Sequence, residues 1–247
     1  RRIAAIFEEN RIVGRGMATD RAARQLIRGA SWEESGTPPP SAGNGSAMRA
    51  GPVGLVCYDD VERLVEVAEK QGVITHRDPR CSAGAVAIAG AVSLALLEKE
   101  IIVDQFVAQL GEWIKPLEPS FADHVLRLSQ WVGLPLEQAA GPITPAGKDP
   151  GYVDGWRGVS PFVIPSVLWS LYSFLRTPDD YWETICTAIV VGGDVDTTAA
   201  MAGAVSGARV GLEAIPHDIA SQVNDMGAWG YETLGDLADR AYETKMN

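Results

Sequence analysis

Thr187-Ala188-Ile189-Val190-Val191-Gly192-Gly193-Asp194-Val195-Asp196-Thr197-Thr198 runs from an apolar stretch through a double glycine into three closely spaced oxygen-bearing side chains. The segment behind it, with Gly203, Gly207 and Gly211 four residues apart, reads as a small-residue helix. Asp194, Asp196 and Thr197 fall at i, i+2 and i+3. Two carboxylates at that spacing repel each other, and a bound cation relieves the repulsion. Oxygen-only donors favour Mg²⁺, Mn²⁺ or Ca²⁺ over zinc. The same residue types also serve as a helix N-cap, where they accept backbone N–H bonds and meet the positive end of the helix. Taken alone, the motif leaves both readings open.

The glycine spacing extends the argument. Residues four apart share one helix face, and each glycine costs about 1 kcal/mol against alanine inside a helix. Gly203, Gly207 and Gly211, set among Ala199, Ala200, Ala202, Ala204 and Ala208, are therefore expected to let another backbone pack closely. The glycines would fix the helix and the aspartates at its mouth would carry the chemistry.

Composition fits a globular chain. Its 247 residues, 46% hydrophobic and 21% charged, can bury a substantial core. A formal charge of −11 argues against a nucleic-acid backbone as partner, although a local pocket can still hold a small anion. Cys57, Cys81 and Cys186 are odd in number and sit among apolar residues, as expected of reduced, buried thiols in a cytoplasmic protein. Arg1 and Arg2 lead into an amphipathic segment and no signal peptide is visible. The stretch from Ala83 to Leu97 is read as too short to span a bilayer, so no membrane partner is expected.

Along the chain, Thr19 or Asp20 is expected to cap a helix ending at Ile27. Ser35 to Pro52 reads as a long Gly- and Pro-rich loop. Asp60 to Gln71 forms an amphipathic pattern with Val61, Leu64, Val65 and Ala68 on one face and Gly72 as its stop. Asp78 and Pro79 supply an N-cap and an N1 proline for a small-residue helix, Arg80 to Leu97. Further helices are expected over Ile101 to Ile114, Ser120 to Trp131 and Ser160 to Phe174. Thr177-Pro178-Asp179-Asp180 opens another, with Thr177 as cap and Pro178 as N1. Gly141 to Gly158 reads as irregular, and Pro216 and Thr233 mark two final helices. No period-two strand and no fixed repeat is found. The expected fold is all-α, a single compact orthogonal helical domain over 1–247 with about ten helices around a central metal site.

Two further constellations bear on function. Gly43-Asn44-Gly45-Ser46-Ala47-Met48-Arg49 could cradle a phosphate, with Arg49 adding a fork of donors; its plain alternative is a turn. His76, with Arg77 and Arg80 near a helix N-terminus, suits an anion, against the alternative of a structural histidine. His124 and His217 carry no assigned role. Asp59-Asp60 and Asp179-Asp180 read as caps. Trp131, Trp156, Trp169 and Trp182 read as packing residues, with Tyr152 and Trp156 as alternative pocket-lining groups.

Three segments in order, 41–49, 75–79 with its small-residue helix, and 192–198 with 202–208, resemble the ADP-ribosylglycohydrolase family. The closing 211–216 is similar to it as well, and the likeness runs over nearly the whole chain. The resemblance implies an all-α fold with two magnesium ions, manganese being an alternative, and removal of ADP-ribose from arginine, serine or related acceptors. It implies that Asp194, Asp196 and Thr197 are metal ligands, that Gly43 to Arg49 hold the ADP-ribose diphosphate and ribose, and that His76 lines that site. The partner would be ADP-ribose, or a protein or small molecule carrying it. Family members also carry an N-terminal Thr-Asp-Asp-Thr motif, preceded by an acidic residue, that supplies the other metal ligands. Neither occurs here, so the chain is expected to be a fragment with half a metal site, the general acid or base lying in the missing segment. Two rival functions are a non-catalytic ADP-ribose-binding or structural relative, and an all-α Mg²⁺-dependent nucleotide pyrophosphatase, which would release AMP.

Overall fold

A computed structural model describes residues 2–246 except 10, 11, 13, 15 and 152. Among the described residues the regular structure is helical, and extended pairing is limited to isolated bridges. The first helices are α1 (Arg2–Glu8), α2 (Met17–Ile27), α3 (Trp32–Ser35), α4 (Gly51–Val56) and α5 (Val61–Val73). The middle of the chain forms α6 (Pro79–Leu97), α7 (Val103–Ile114), α8 (Pro119–Leu126), α9 (Leu128–Trp131) and α10 (Leu136–Ile143). The last set is α11 (Val163–Arg176), α12 (Tyr181–Val190), α13 (Val195–Val210), α14 (His217–Ala220) and α15 (Tyr231–Met246). Ten of these helices run eight residues or more, as the sequence pattern predicts.

The core is organised on α6. Asp78 caps it by accepting from the Arg80 N–H at 3.0 Å, and Pro79 occupies its first turn. Fifteen of its 19 residues are buried, which its alanine, glycine and serine content makes possible on every face. A Cβ at Gly54 would lie 2.2 Å from the Ala89 carbonyl oxygen, and one at Gly84 would lie 2.4 Å from Val163 Cγ2. Close approach of α4 and α11 to α6 therefore requires those glycines. By length and composition alone α6 could cross a membrane, contrary to the sequence reading, yet 83% of its apolar window is buried inside the fold. Its apolarity is that of a core helix.

Beside it, α11 buries 13 of its 14 residues. The Ser170 and Ser173 hydroxyls each donate to the carbonyl four residues back at 2.8 Å, so burial leaves neither without a partner. Ser170 also donates to the Thr198 carbonyl at 3.0 Å, tying α11 to α13. Trp169 stacks on Tyr172 at 4.9 Å, and its indole N–H donates to the Ala188 carbonyl at 3.1 Å.

Several local expectations are corrected. Helix α2 starts at Met17, so Thr19 and Asp20 lie inside its first turn, and Asp20 pairs with Arg24 instead of capping. Gly72 does not stop α5, which runs on to Val73; its missing Cβ leaves room for Ser46, 3.3 Å from that position. The expected 120–131 helix breaks at Arg127 into α8 and α9. α10 extends into the stretch read as irregular, and the loop read over 35–52 carries one short 3-10 turn, with the end of α3 and the start of α4 at its two edges. Asp180, rather than Thr177, caps α12 by accepting from the Glu183 N–H at 2.9 Å, while Asp179 pairs with Arg209. Asp59 likewise pairs with Lys245. Trp131 and Trp169 are core residues, but Trp156 and Trp182 are exposed. Cys57 and Cys81 are buried, and Cys186 is partly exposed.

The glycine helix differs most from its reading. Gly203 faces side chains, with Ile185 Cδ1 and the Tyr181 hydroxyl 3.1 and 3.2 Å from its Cβ position. Gly207 has nothing nearer than 4.0 Å, and Gly211 lies beyond the helix as its C-cap at φ +78°. No second backbone meets the three as one face.

Candidate functional site

The 43–46 loop is pinned before its side chains act. Gly43 pairs antiparallel with Phe162; the Asn44 N–H donates to the Pro161 carbonyl at 2.9 Å and the Val163 N–H to the Ala42 carbonyl at 3.0 Å. Asn44 to Ser46 then close a 3-10 turn. The buried Asn44 amide donates to Ser166 Oγ at 2.8 Å and to Asp194 Oδ2 at 2.6 Å. Ser46 donates to the Cys81 carbonyl at 2.9 Å, and Ala47 is fully buried. Met48 is exposed.

Arg49 turns inward. Its Nε donates to Gln71 Oε1 at 2.8 Å, Nη1 to the Gly45 carbonyl at 2.9 Å, and Nη2 to the Gln71 carbonyl and Thr75 Oγ1 at 2.8 and 2.7 Å. Burial lowers its pKa to about 10. The guanidinium thus staples the loop to the end of α5, with most of its fork committed, and does not present the open fork expected for a phosphate. Arg80 is also engaged, gripping Asp78 at 2.7 and 2.8 Å.

His76 lies beneath the loop. It is 3% exposed, and its Nδ1 shares a 2.8 Å hydrogen bond with Thr75 Oγ1. A Cβ at Gly45 would lie 2.8 Å from His76 Cε1, and one at Gly43 would lie 3.4 Å from Nε2. Imidazole and glycines are therefore one packed unit. Burial first, then the Arg49 charge, hold the His76 pKa down at about 4, so the ring is neutral at physiological pH.

The aspartate motif is placed by a segment that sequence reading missed. Val159 pairs parallel with Gly193; its N–H donates to the Gly192 carbonyl at 3.1 Å, and the Asp194 N–H donates to the Val159 carbonyl at 2.8 Å. Gly193 has φ +91°, and a Cβ there would lie 2.0 Å from the Val159 oxygen, so only glycine fits. The run 159–162 thereby joins the Asp194 loop at one end to Gly43 at the other. The visible signal was Gly158 and Pro161 at the edge of a loop, which are generic turn residues.

Asp194 sits at the N-cap position of α13 but its side chain makes no capping bond. One carboxylate oxygen accepts from Asn44 and the other from Thr197 Oγ1 at 3.2 Å. Burial, aided by the neighbouring Asp196, raises the Asp194 pKa. Asp196 is exposed and Thr197 partly buried. The structure thus brings Asn44, Asp194, Asp196 and Thr197 together, with His76 packed against the glycines on either side of Asn44. Among the described residues no group of three or more His, Cys, Asp or Glu side chains gathers as a complete metal cage. Tyr152 lies outside the described residues. Trp156 is exposed and precedes Arg157, whose carbonyl oxygen faces Gly192, on the segment leading into Val159.

Comparison with known proteins identifies the class. A model of the ADP-ribosylglycohydrolase family matches residues 1–247, and the chain belongs to that family. It is 31% identical over 195 residues to the ADP-ribosylhydrolase ARH3 of Gallus gallus, covering 71% of this chain and 52% of that protein. The Homo sapiens ARH3 is 32% identical over 200 residues, with the same shares. An uncharacterized protein of Archaeoglobus fulgidus is 26% identical over 231 residues, covering 94% of this chain and 67% of that one. The chain therefore spans about half the length of these two ARH3 relatives. A solved structure described as an ADP-ribosylglycohydrolase-related protein complex shares the fold, with a TM-score of 0.66 and 24% identity over 99% of this chain and 72% of that one.

Proposed function

We propose that this chain takes part in magnesium-dependent hydrolysis of the glycosidic bond between ADP-ribose and an acceptor such as arginine or serine. Family membership supports the reaction class. The observation that carries the site is the 2.6 Å bond from Asn44 to Asp194, which joins the glycine loop to the aspartate motif.

The donors fit a hard cation. Asp194 and Asp196 crowd two carboxylates, burial and then the Asp196 neighbour raise the Asp194 pKa, and Thr197 adds a hydroxyl oxygen. Asp194 is also held by side-chain bonds instead of being spent on the helix terminus. When bound, Mg²⁺ would supply positive charge where electron density builds as the anomeric bond breaks. Asn44 orients Asp194. The glycines at 43 and 45 let neutral His76 pack directly against the loop, supporting it without adding charge, and the backbone of that loop is the part we assign to a phosphate.

The test is hydrolysis of ADP-ribosyl-arginine and ADP-ribosyl-serine peptides by the protein containing this chain, with Mg²⁺ or with chelator. Release of intact ADP-ribose, dependent on Mg²⁺ and abolished by Asp194→Ala, is expected. Near-normal turnover in Asp194→Ala would remove the metal role. AMP as product would point to a pyrophosphatase, and binding without turnover to a non-catalytic relative.

A further inference from the structure

The described residues between Gly147 and Gly158 are anchored more firmly than an irregular connection needs. At one end Gly147, at φ +71°, packs so closely on Ile164 that a Cβ would lie 2.4 Å from Ile164 Cδ1. At the other, Val159 is bonded into the Asp194 loop. The Arg157 carbonyl oxygen lies 3.5 Å from the Cβ position of Gly192. Between these anchors Lys148 Nζ pairs with Asp154 Oδ2 at 2.7 Å, the two side chains only 12% and 17% exposed. The other Asp154 oxygen accepts the Trp156 N–H at 3.1 Å. One carboxylate thereby links Lys148 to the Trp156 backbone. Trp156 itself is 48% exposed. Its backbone is held next to Arg157, whose carbonyl faces Gly192 two residues before Asp194, and an indole that exposed on an acidic protein is unspent apolar surface.

We propose that the Lys148–Asp154 ion pair is a positioning clasp that holds Trp156 at the rim beside Asp194, as a flat platform for a planar group of the bound ligand. The ligand half rests on the function proposed above; the clasp itself does not. Exposed ion pairs contribute little because water screens them. This pair is shielded, and its geometry is reinforced by the bond from Trp156, so it fixes a loop conformation. Stacking on an aromatic ring suits either a nucleobase or a guanidinium, since both present a planar face.

The experiment uses Lys148→Met, Asp154→Asn, the exchanged pair Lys148→Asp with Asp154→Lys, and Trp156→Ala. Hydrogen exchange of the 148–158 peptide reads the clasp without any ligand. Faster exchange in each single variant and recovery in the exchanged pair are expected; unchanged exchange in the single variants overturns the clasp. Calorimetric titration with ADP-ribose and with ADP-ribosyl-arginine, in the presence of Mg²⁺, reads the platform. Trp156→Ala and Lys148→Met should each weaken binding about tenfold, and the double variant no further than Trp156→Ala alone. Loss with ADP-ribose assigns the stacked group to the nucleobase; loss confined to ADP-ribosyl-arginine assigns it to the acceptor. Equal affinity for both ligands in Trp156→Ala overturns the platform. Failure of the parent protein to bind either ligand overturns the platform together with the proposed function, while the exchange result still decides the clasp.

Discussion

Asn44 donates its side-chain amide to Asp194 across 2.6 Å and 150 residues of chain. The same amide donates to Ser166 on α11, so one side chain couples the glycine loop, the core and the mouth of α13. Asn44→Ala would leave the Ser166 hydroxyl and one Asp194 oxygen short of a donor in a buried setting. A loss of about 2 kcal/mol is expected in urea unfolding. A change below about 0.5 kcal/mol would show that the bond is not a structural link.

Gly193 and Gly207 both belong to the motif that opens the sequence reading, and the structure separates them. Gly193→Ala would drive a Cβ to 2.0 Å from the Val159 carbonyl at a positive φ, and should destabilise by about 3 kcal/mol or more while displacing Asp194. Gly207→Ala lies within α13 with its nearest neighbour at 4.0 Å, and should stabilise by about 0.5–1 kcal/mol. Thermal unfolding of the two variants checks the contrast. Similar losses in both would mean that Gly207 meets a close neighbour after all.

How much could be read from sequence follows from the same residues. The core helix α6, its Asp78 cap and the α5 cap at Asp60 were visible because local chemistry alone decides them. Gly193 and Val159 were not, because their pairing is a long-range backbone contact that leaves only a glycine and a proline as its trace. The engagement of Arg49 was hidden for a related reason. A guanidinium beside a glycine loop looks available for an anion until Gln71 and Thr75, brought in by α5, occupy its donors. The even choice between cap and ligand at Asp194 also depended on a partner 150 residues away.

His76 gives the fold a pH dependence whose sign is fixed by its burial. Its pKa falls from the ordinary 6.5 to about 4 on folding. The unfolded chain therefore takes up a proton first as pH falls, and stability that is full above about pH 6.5 is lost progressively towards pH 4. The difference corresponds to about 3 kcal/mol. Unfolding midpoints measured between pH 7 and pH 4 should drop, and His76→Gln should flatten that part of the profile. A parent profile no steeper than that of His76→Gln would contradict the buried neutral ring.

Gly45→Ala tests the fit of loop to imidazole. The new Cβ would lie 2.8 Å from His76 Cε1, so the loop must lift or the ring must turn. Weaker ADP-ribose binding, with a stability loss of about 1–3 kcal/mol, is expected. Unchanged affinity would mean that this loop does not meet the ligand.

The central claim is that Asp194, Asp196 and Thr197 hold a divalent cation next to the loop that binds ADP-ribose. Calorimetric titration of ADP-ribose into the protein, with Mg²⁺ and with chelator, tests it most directly, with Asp194→Asn run in parallel. Asparagine keeps an oxygen for the Asn44 bond while removing the charge. The account expects binding that Mg²⁺ tightens by about tenfold or more, equivalent to about 1.4 kcal/mol, and that Asp194→Asn makes indifferent to Mg²⁺. Equal ADP-ribose affinity with and without Mg²⁺ in the parent protein, or an undiminished Mg²⁺ effect in Asp194→Asn, would contradict it.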